Sequence, residues 1–141
     1  MERLVIYTDG GARGNPGPAG IGAVARDGEG RLVYEVSRYI GETTNNVAEY
    51  EALIAALEEA KMRYGAKLRE MAVDVRMDSE LVVRQLTGVY KVKDPAMKER
   101  FARVAKIRLE DAPNMTFTHV YREENAHADE LVNAAIDAAG K

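Results

Sequence analysis

Four acids, Asp9, Glu49, Asp78 and Asp129, are the residues of this sequence most able to do chemistry together. Asp9 follows an apolar stretch, Arg3-Leu4-Val5-Ile6-Tyr7-Thr8, and opens a glycine-rich one, Gly10-Gly11-Ala12-Arg13-Gly14-Asn15. A strand ending at Asp9 fixes its carboxylate, and Gly10 and Gly11 leave the backbone bare enough for a ligand to approach. Two carboxylates about 4 Å apart repel by roughly 4 kcal/mol in a partly buried site, so four of them require cations or raised pKa values. Oxygen ligands without a histidine or cysteine set suit Mg²⁺ or Mn²⁺. Three of them also have a plainer reading: Asp9 as a turn residue, Glu49 as a first-turn helix acid favoured by the dipole, Asp78 as a helix cap. Their joint placement argues for a site.

The elements that must position them follow from periodicity. Gly20–Arg26 and Arg31–Ile40 are extended and rich in β-branched and aromatic residues, with Asp27-Gly28-Glu29-Gly30 as the hairpin turn between them. With the first strand they make an antiparallel meander. Gly20-x-Gly22-x-x-Ala25 matches a dinucleotide fingerprint, yet it opens a strand rather than a helix and lacks the required context. Thr43-Thr44-Asn45-Asn46 offers N-caps for a long helix, with Val47, Tyr50, Ile54, Leu57 and Tyr64 at helical spacing until Gly65. Glu49 sits at the edge of that stripe. Glu70–Met77 is a strand, after which Asp78-Ser79 caps a short helix through Leu86, so Asp78 repeats Asp9's place at a strand exit. Pro95 starts a helix with Met97, Phe101, Val104 and Ile107 inward; Met115–Arg122 is the last strand, and a final helix carries Asp129 in its first turns. The expected fold is α/β, a mixed five-stranded sheet of three antiparallel then two parallel strands with helices on both faces.

The 141 residues, 46% hydrophobic, match one domain over residues 1–141 able to bury a core. The absence of cysteine excludes disulfides and thiolate metal sites and suits a reducing cytosol. No apolar run approaches a membrane span, and Met1-Glu2-Arg3 leads directly into a strand, so a cytoplasmic protein without a membrane or obligate protein partner is expected. Net charge is −3, but seven basic residues against two acids give residues 91–108 a net +5 and leave the remainder at −8. Such a segment serves phosphate binding or is a solvated helix face.

Tyr7-Thr8-Asp9-Gly10-Gly11 with Gly14-Asn15-Pro16-Gly17, Thr44-Asn45-Asn46-Val47-Ala48-Glu49, Asp78-Ser79, and Arg122-Glu123-Glu124-Asn125 with Ala128-Asp129-Glu130-Leu131 occur in that order. Together they resemble type 1 ribonuclease H, which cuts the RNA strand of an RNA/DNA hybrid, and the resemblance spans nearly the whole chain. It implies metal binding by Asp9, Glu49, Asp78 and Asp129, and two-metal hydrolysis that leaves 5′-phosphate and 3′-hydroxyl ends. It also implies that Gly14, Asn15 and Asn45, with Glu49, meet the RNA minor groove and its 2′-hydroxyls, and that Thr44 meets a DNA phosphate. Two alternatives stand beside it: a related nuclease that also cuts double-stranded RNA, and a non-catalytic nucleic-acid-binding module on the same fold.

Three departures mark the sequence. The family's loop histidine before Asp129 has no counterpart in Glu123-Glu124-Asn125, and His127, about 200° from Asp129 on a helix, is aimed elsewhere. The basic protrusion after the second helix is cut down to Tyr90–Pro95, and a form without a hybrid-binding domain ahead of Arg3 is expected. This resembles the compact form of the family. Arg122, expected at the exit of the last strand, is the candidate to act electrostatically where the histidine is missing, holding a phosphate or offsetting carboxylate repulsion. A surface pair with Glu123 or Glu124 is the plainer alternative.

Overall fold

A computed structural model of the chain describes residues 1–140. Five strands, β1 (Arg3–Ala12), β2 (Gly17–Asp27), β3 (Leu32–Thr43), β4 (Ala72–Met77) and β5 (Met115–His119), form one sheet in the order β3-β2-β1-β4-β5. The first three pair antiparallel, and β4 and β5 add parallel to β1, as expected. Helices α1 (Asn45–Tyr64), α2 (Glu80–Leu86), α3 (Pro95–Glu110) and α4 (Ala126–Ala139) complete the fold.

α1 is set at both ends by its sequence. Thr44 is the N-cap, its hydroxyl accepting the Val47 N–H at 3.3 Å, and Gly65 ends the helix at φ 55°. Between them Ala48, Ala52, Ala56 and Ala60 recur every four residues, all buried, so the helix lies close on the sheet. Tyr50, Leu53 and Leu57 then pack with Leu4 and Ile6 of β1 and Val73, Val75 and Met77 of β4 in the main core. Gly10 makes the closest approach: a Cβ there would lie 2.2 Å from the Ala48 carbonyl oxygen.

α4 covers the other face, over β1 to β3. Its seat is Gly22, where a Cβ would lie 2.3 Å from the Ala128 carbonyl oxygen. The glycines of the discarded dinucleotide pattern therefore serve helix packing. Because Gly22 is the ladder partner of Asp9, the first turn of α4 comes to rest over the β1 acid.

Several boundaries differ from those expected. β1 continues to Ala12, so Asp9 lies inside the strand; Asp9, Gly10, Gly11 and Ala12 pair with Gly22, Ile21, Gly20 and Ala19. β2 begins three residues early at Gly17 and β3 runs on to Thr43, because this longer ladder carries the antiparallel pairs past the β4 edge. Residues Gly65–Glu70, read partly as strand, form a 3-10 turn. β5 stops at His119, and Arg122 belongs to a 3-10 turn, Arg122–Asn125, which hands the chain to α4.

Candidate active site

The parallel pairing of β1 with β4 ends at Thr8 and Met77, so Asp9 and Asp78 are each the first residue beyond it. That is the register the two strand-end acids needed in order to face each other. Glu49, one turn into α1, is brought over them by the Gly10 contact, and the Gly10 N–H donates to Glu49 Oε1 at 2.7 Å. One carboxylate oxygen from each of Asp9, Glu49 and Asp78 lies within 4.8 Å of the others. Asp129, from α4, stands outside that trio but near enough to Asp9 for its carboxylate to raise the Asp9 carboxyl.

The electrostatics are those of an acid cluster short of positive charge. Asp9 is 8% and Glu49 7% exposed. Burial, then the Asp78 and Asp129 carboxylates, pushes the Asp9 carboxyl up to about 8. Burial, then Asp9 and Asp78, holds Glu49 well above the usual carboxylate range. Asp78 is raised by burial, but the nearby Asn125 amide and the Arg122 charge hold it back. Hard oxygen donors whose proton affinity is raised by desolvation and mutual repulsion fit a divalent cation, which would relieve both.

These residues line a cleft of about 520 Å³ that also takes in Gly10, Gly11, Arg13, Asn45, Ser79, Arg122 and Asn133. Another cavity, of about 500 Å³ between α3 and β5, is walled by Leu86, Phe101, Val104, Leu109 and Phe117 and holds no acid. The cleft carries the chemistry.

Of the expected ligand-binding residues, Gly11 opens on the cleft with no atom nearer than 3.9 Å to a Cβ placed on it. Gly10 does not fit the role given to it: its bare side is filled by α1, and only its peptide borders the cleft. Asn15 Oδ1 accepts the Asn45 N–H at 3.0 Å and Asn45 Oδ1 accepts the Ala12 N–H at 2.7 Å. With both oxygens engaged, each side chain offers a ligand its Nδ2 donor. Gly14 takes φ 95°, which lets the turn between β1 and β2 bring Asn15 to the helix start. Thr44 Oγ1 accepts from the backbone, which leaves its own hydroxyl hydrogen free to donate.

Arg122 is exposed on its 3-10 turn, but it lines the cleft and its charge reaches Asp78. His127 pairs with Glu35 of β3 at 2.5 Å, away from Asp129, as helical phase requires. In the basic segment Arg100 is bound to Glu51 at 2.6 Å and Arg108 lies over Phe117, while Lys91, Lys93 and Lys98 are exposed.

Three contributors escaped the sequence reading. Asn125, 1% exposed, donates from Nδ2 to the Thr8 carbonyl at 2.9 Å and lies close enough to Asp78 to lower its proton affinity. Arg13 ties the β1–β2 turn to α4 through Asp137 at 2.6 Å and Asn133 at 3.2 Å, and Asn133 in turn bonds the Asp129 carbonyl. Polar residues flanked by exposed charge give no pattern from which burial can be read; only the Asn125 position within the Arg122–Asn125 motif was a signal.

The family model described as reverse transcriptase-like matches residues 7–135. The ribonuclease HI of Halobacterium salinarum is 43% identical over 97% of this chain and 66% of its own length. A relative from Mycobacterium bovis is 42% identical over 99% of this chain, which spans 37% of that protein. Among solved structures, LC11-RNase H1, isolated from compost by a metagenomic approach, is 64% identical, covers the whole of both chains and superposes with a TM-score of 0.95. The same protein in complex with an RNA/DNA hybrid matches with a TM-score of 0.94 over 98% of this chain and 99% of that one. No helix among the described residues is long and apolar enough to cross a membrane. The order of the acids along the chain, the register that gathers them and full-length similarity at 64% identity converge, and the chain belongs to the type 1 ribonuclease H family.

Proposed function

We propose that this chain is a single catalytic domain that hydrolyses the RNA strand of RNA/DNA hybrids, working in the cytoplasm and leaving 5′-phosphate and 3′-hydroxyl ends. The observation that carries the reading is the trio of carboxylate oxygens of Asp9, Glu49 and Asp78 within 4.8 Å, two of them on buried side chains. It is supported by the hybrid complex of a protein 64% identical to this one.

Asp9, Glu49 and Asp78, with Asp129 at the cleft wall, would hold two Mg²⁺ or Mn²⁺ ions together with substrate phosphate oxygens. When bound, such ions supply acidity for the attacking water and charge to steady the departing 3′-oxygen. The chain's own residues do the placing. Asn15 and Asn45 offer amide donors, and the Gly14 backbone lies beside them; such groups read a 2′-hydroxyl without reading the base. Thr44 is set for a phosphate of the DNA strand. Arg122 cannot act as a base at neutral pH, so its contribution is positive charge at the cleft mouth.

A panel of matched duplexes tests this: RNA/DNA hybrid, double-stranded RNA and double-stranded DNA, each with Mg²⁺, Mn²⁺ or chelator. Cleavage of the hybrid's RNA strand, lost with chelator and in Asp9→Asn, is expected. Cleavage that survives chelator, or hybrid left intact under every metal, overturns the reading. Equal cleavage of double-stranded RNA widens the substrate class.

A further inference from the structure

The end of β5 carries an aromatic pair for which the hydrolytic residues have no use. The Val120 N–H donates to the Met77 carbonyl at 2.9 Å, so Val120 lies beside the residue before Asp78, and Tyr121 stands next to the turn that carries that acid. Tyr121 is 71% exposed, and its ring meets His119 edge to face, with centroids 5.9 Å apart and planes at 71°. Its backbone is fixed: Glu124 N–H donates to the Tyr121 carbonyl at 3.0 Å, and the Tyr121 N–H donates to Glu124 Oε1 at 3.4 Å. Arg122, the next residue, lines the acidic cleft.

Tyr121 is the most exposed tyrosine or phenylalanine ring among the described residues, against 46% for Tyr90 and 41% for Tyr39. Tyr7, Tyr34, Tyr90 and Phe117 each lie under an arginine, from Arg76, Arg63, Arg84 and Arg108 respectively. An edge-to-face pair uses at most one face of a ring, so Tyr121 retains at least one for a ligand. Resting on the hydrolytic reading above, we propose that Tyr121, backed by His119, is a stacking platform for an unpaired base of the RNA strand where that strand leaves the hybrid.

The unpaired state follows from stacking itself. Inside a duplex both faces of every base are covered by neighbours, whereas a single-stranded extension offers a bare face to an exposed ring. The RNA strand is the partner because Tyr121 adjoins the turn of Asp78, one of the acids that meet the strand to be cut. Glu123, exposed on the same turn, opposes any further phosphate attraction, so the contribution of Tyr121 comes from its ring and is insensitive to salt.

The sequence contains no tryptophan, so Tyr121→Trp introduces one indole as a reporter at this position. In an Asp9→Asn background, which keeps the substrate intact, the variant is titrated with a short blunt hybrid and with the same hybrid bearing a few unpaired nucleotides on one RNA end. The extended hybrid should quench the indole more strongly than the blunt one. Tyr121→Ala should weaken the extended hybrid relative to the blunt one by about five-fold to a hundred-fold with the salt slope unchanged, and Tyr121→Phe should restore binding. Unchanged indole emission while anisotropy of a labelled hybrid reports a complex, or equal weakening of both duplexes, overturns the platform and leaves the hydrolytic reading standing. A parent protein that neither binds nor cleaves the labelled hybrid removes both.

Discussion

Asn125 Nδ2 donates to the main-chain oxygen of Thr8 at 2.9 Å, joining the turn before α4 to the strand residue immediately before Asp9. The same amide lies near enough to Asp78 to hold its proton affinity down, so one buried side chain ties the end of β1 to the start of α4 beside the acid after β4. Asn125→Ala strands the buried Thr8 carbonyl without a donor, a loss of about 1–3 kcal/mol. Thermal denaturation should show a lowered Tm, and the Mn²⁺ concentration for half-maximal activity should rise. An unchanged metal requirement would confine Asn125 to a structural role.

Asp9 makes the metal-free protein sensitive to pH. Its carboxyl is pushed from 3.8 up to about 8 in the folded state, so between those values the folded chain holds a proton that the unfolded chain has released. Stability then falls as pH rises through that window and levels off above it. Asp9→Asn carries no such proton. In chelator, the parent's Tm should drop more than the variant's between about pH 5 and pH 8, and the parent's affinity for divalent metal should rise over the same range as the competing proton leaves. Parallel melting profiles for parent and variant would contradict this.

Gly10 and Gly11 are neighbours with opposite tolerance. A methyl on Gly10 meets the Ala48 carbonyl oxygen at 2.2 Å, so α1 must lift and carry Glu49 with it. Gly10→Ala should cost about 1–3 kcal/mol of stability and most of the activity. Gly11→Ala finds its nearest atoms at 3.9 Å and should stay within about 0.5 kcal/mol of the parent. Chemical denaturation of the two variants decides the point, and equal effects would refute the steric account.

The elements and the antiparallel-then-parallel strand directions were legible because strand alternation, helix periodicity and caps are local signals, and the four acids stood at element boundaries. Thr44, Ser79 and Asp94 cap the helices where short polar residues precede apolar stripes. What was not legible is long-range. Gly10-Gly11 looks like a turn in sequence, yet it continues β1 because β2 runs alongside it and α1 needs the room. Met115–Arg122 looks like one strand, yet the pairing stops at His119 beside Met77, after which no β4 residue remains to pair. Asn125 is buried only because β1 and α4 close over it.

The exposed lysines of the basic segment can be tested by salt. Each phosphate neutralised contributes about −0.9 to the slope of log affinity against log salt on a duplex. Charge reversal at Lys91, Lys93 and Lys98 should make that slope shallower for hybrid binding. Reversal at Arg100, already paired with Glu51, should act on stability instead. A slope unaltered by the lysine reversals would return them to solvated surface.

Arg122 and His127 offer the sharpest contrast. Arg122 lines the cleft and its charge reaches Asp78, whereas His127 is drawn to Glu35 on β3. A guanidinium at the cleft mouth can hold the scissile or an adjacent phosphate as charge develops, a contribution that is lost on truncation and partly kept by another cation. Arg122→Ala should lower turnover roughly ten-fold to a thousand-fold, with Arg122→Lys recovering part of it. His127→Ala should change turnover by less than about ten-fold, its loss being one partly exposed pair. Steady-state rates on the hybrid at saturating metal separate the two. A crippled His127→Ala beside a near-normal Arg122→Ala would mean that the α4 face bearing Glu35's partner reaches the substrate, and the assignment of Arg122 to the cleft chemistry would fall.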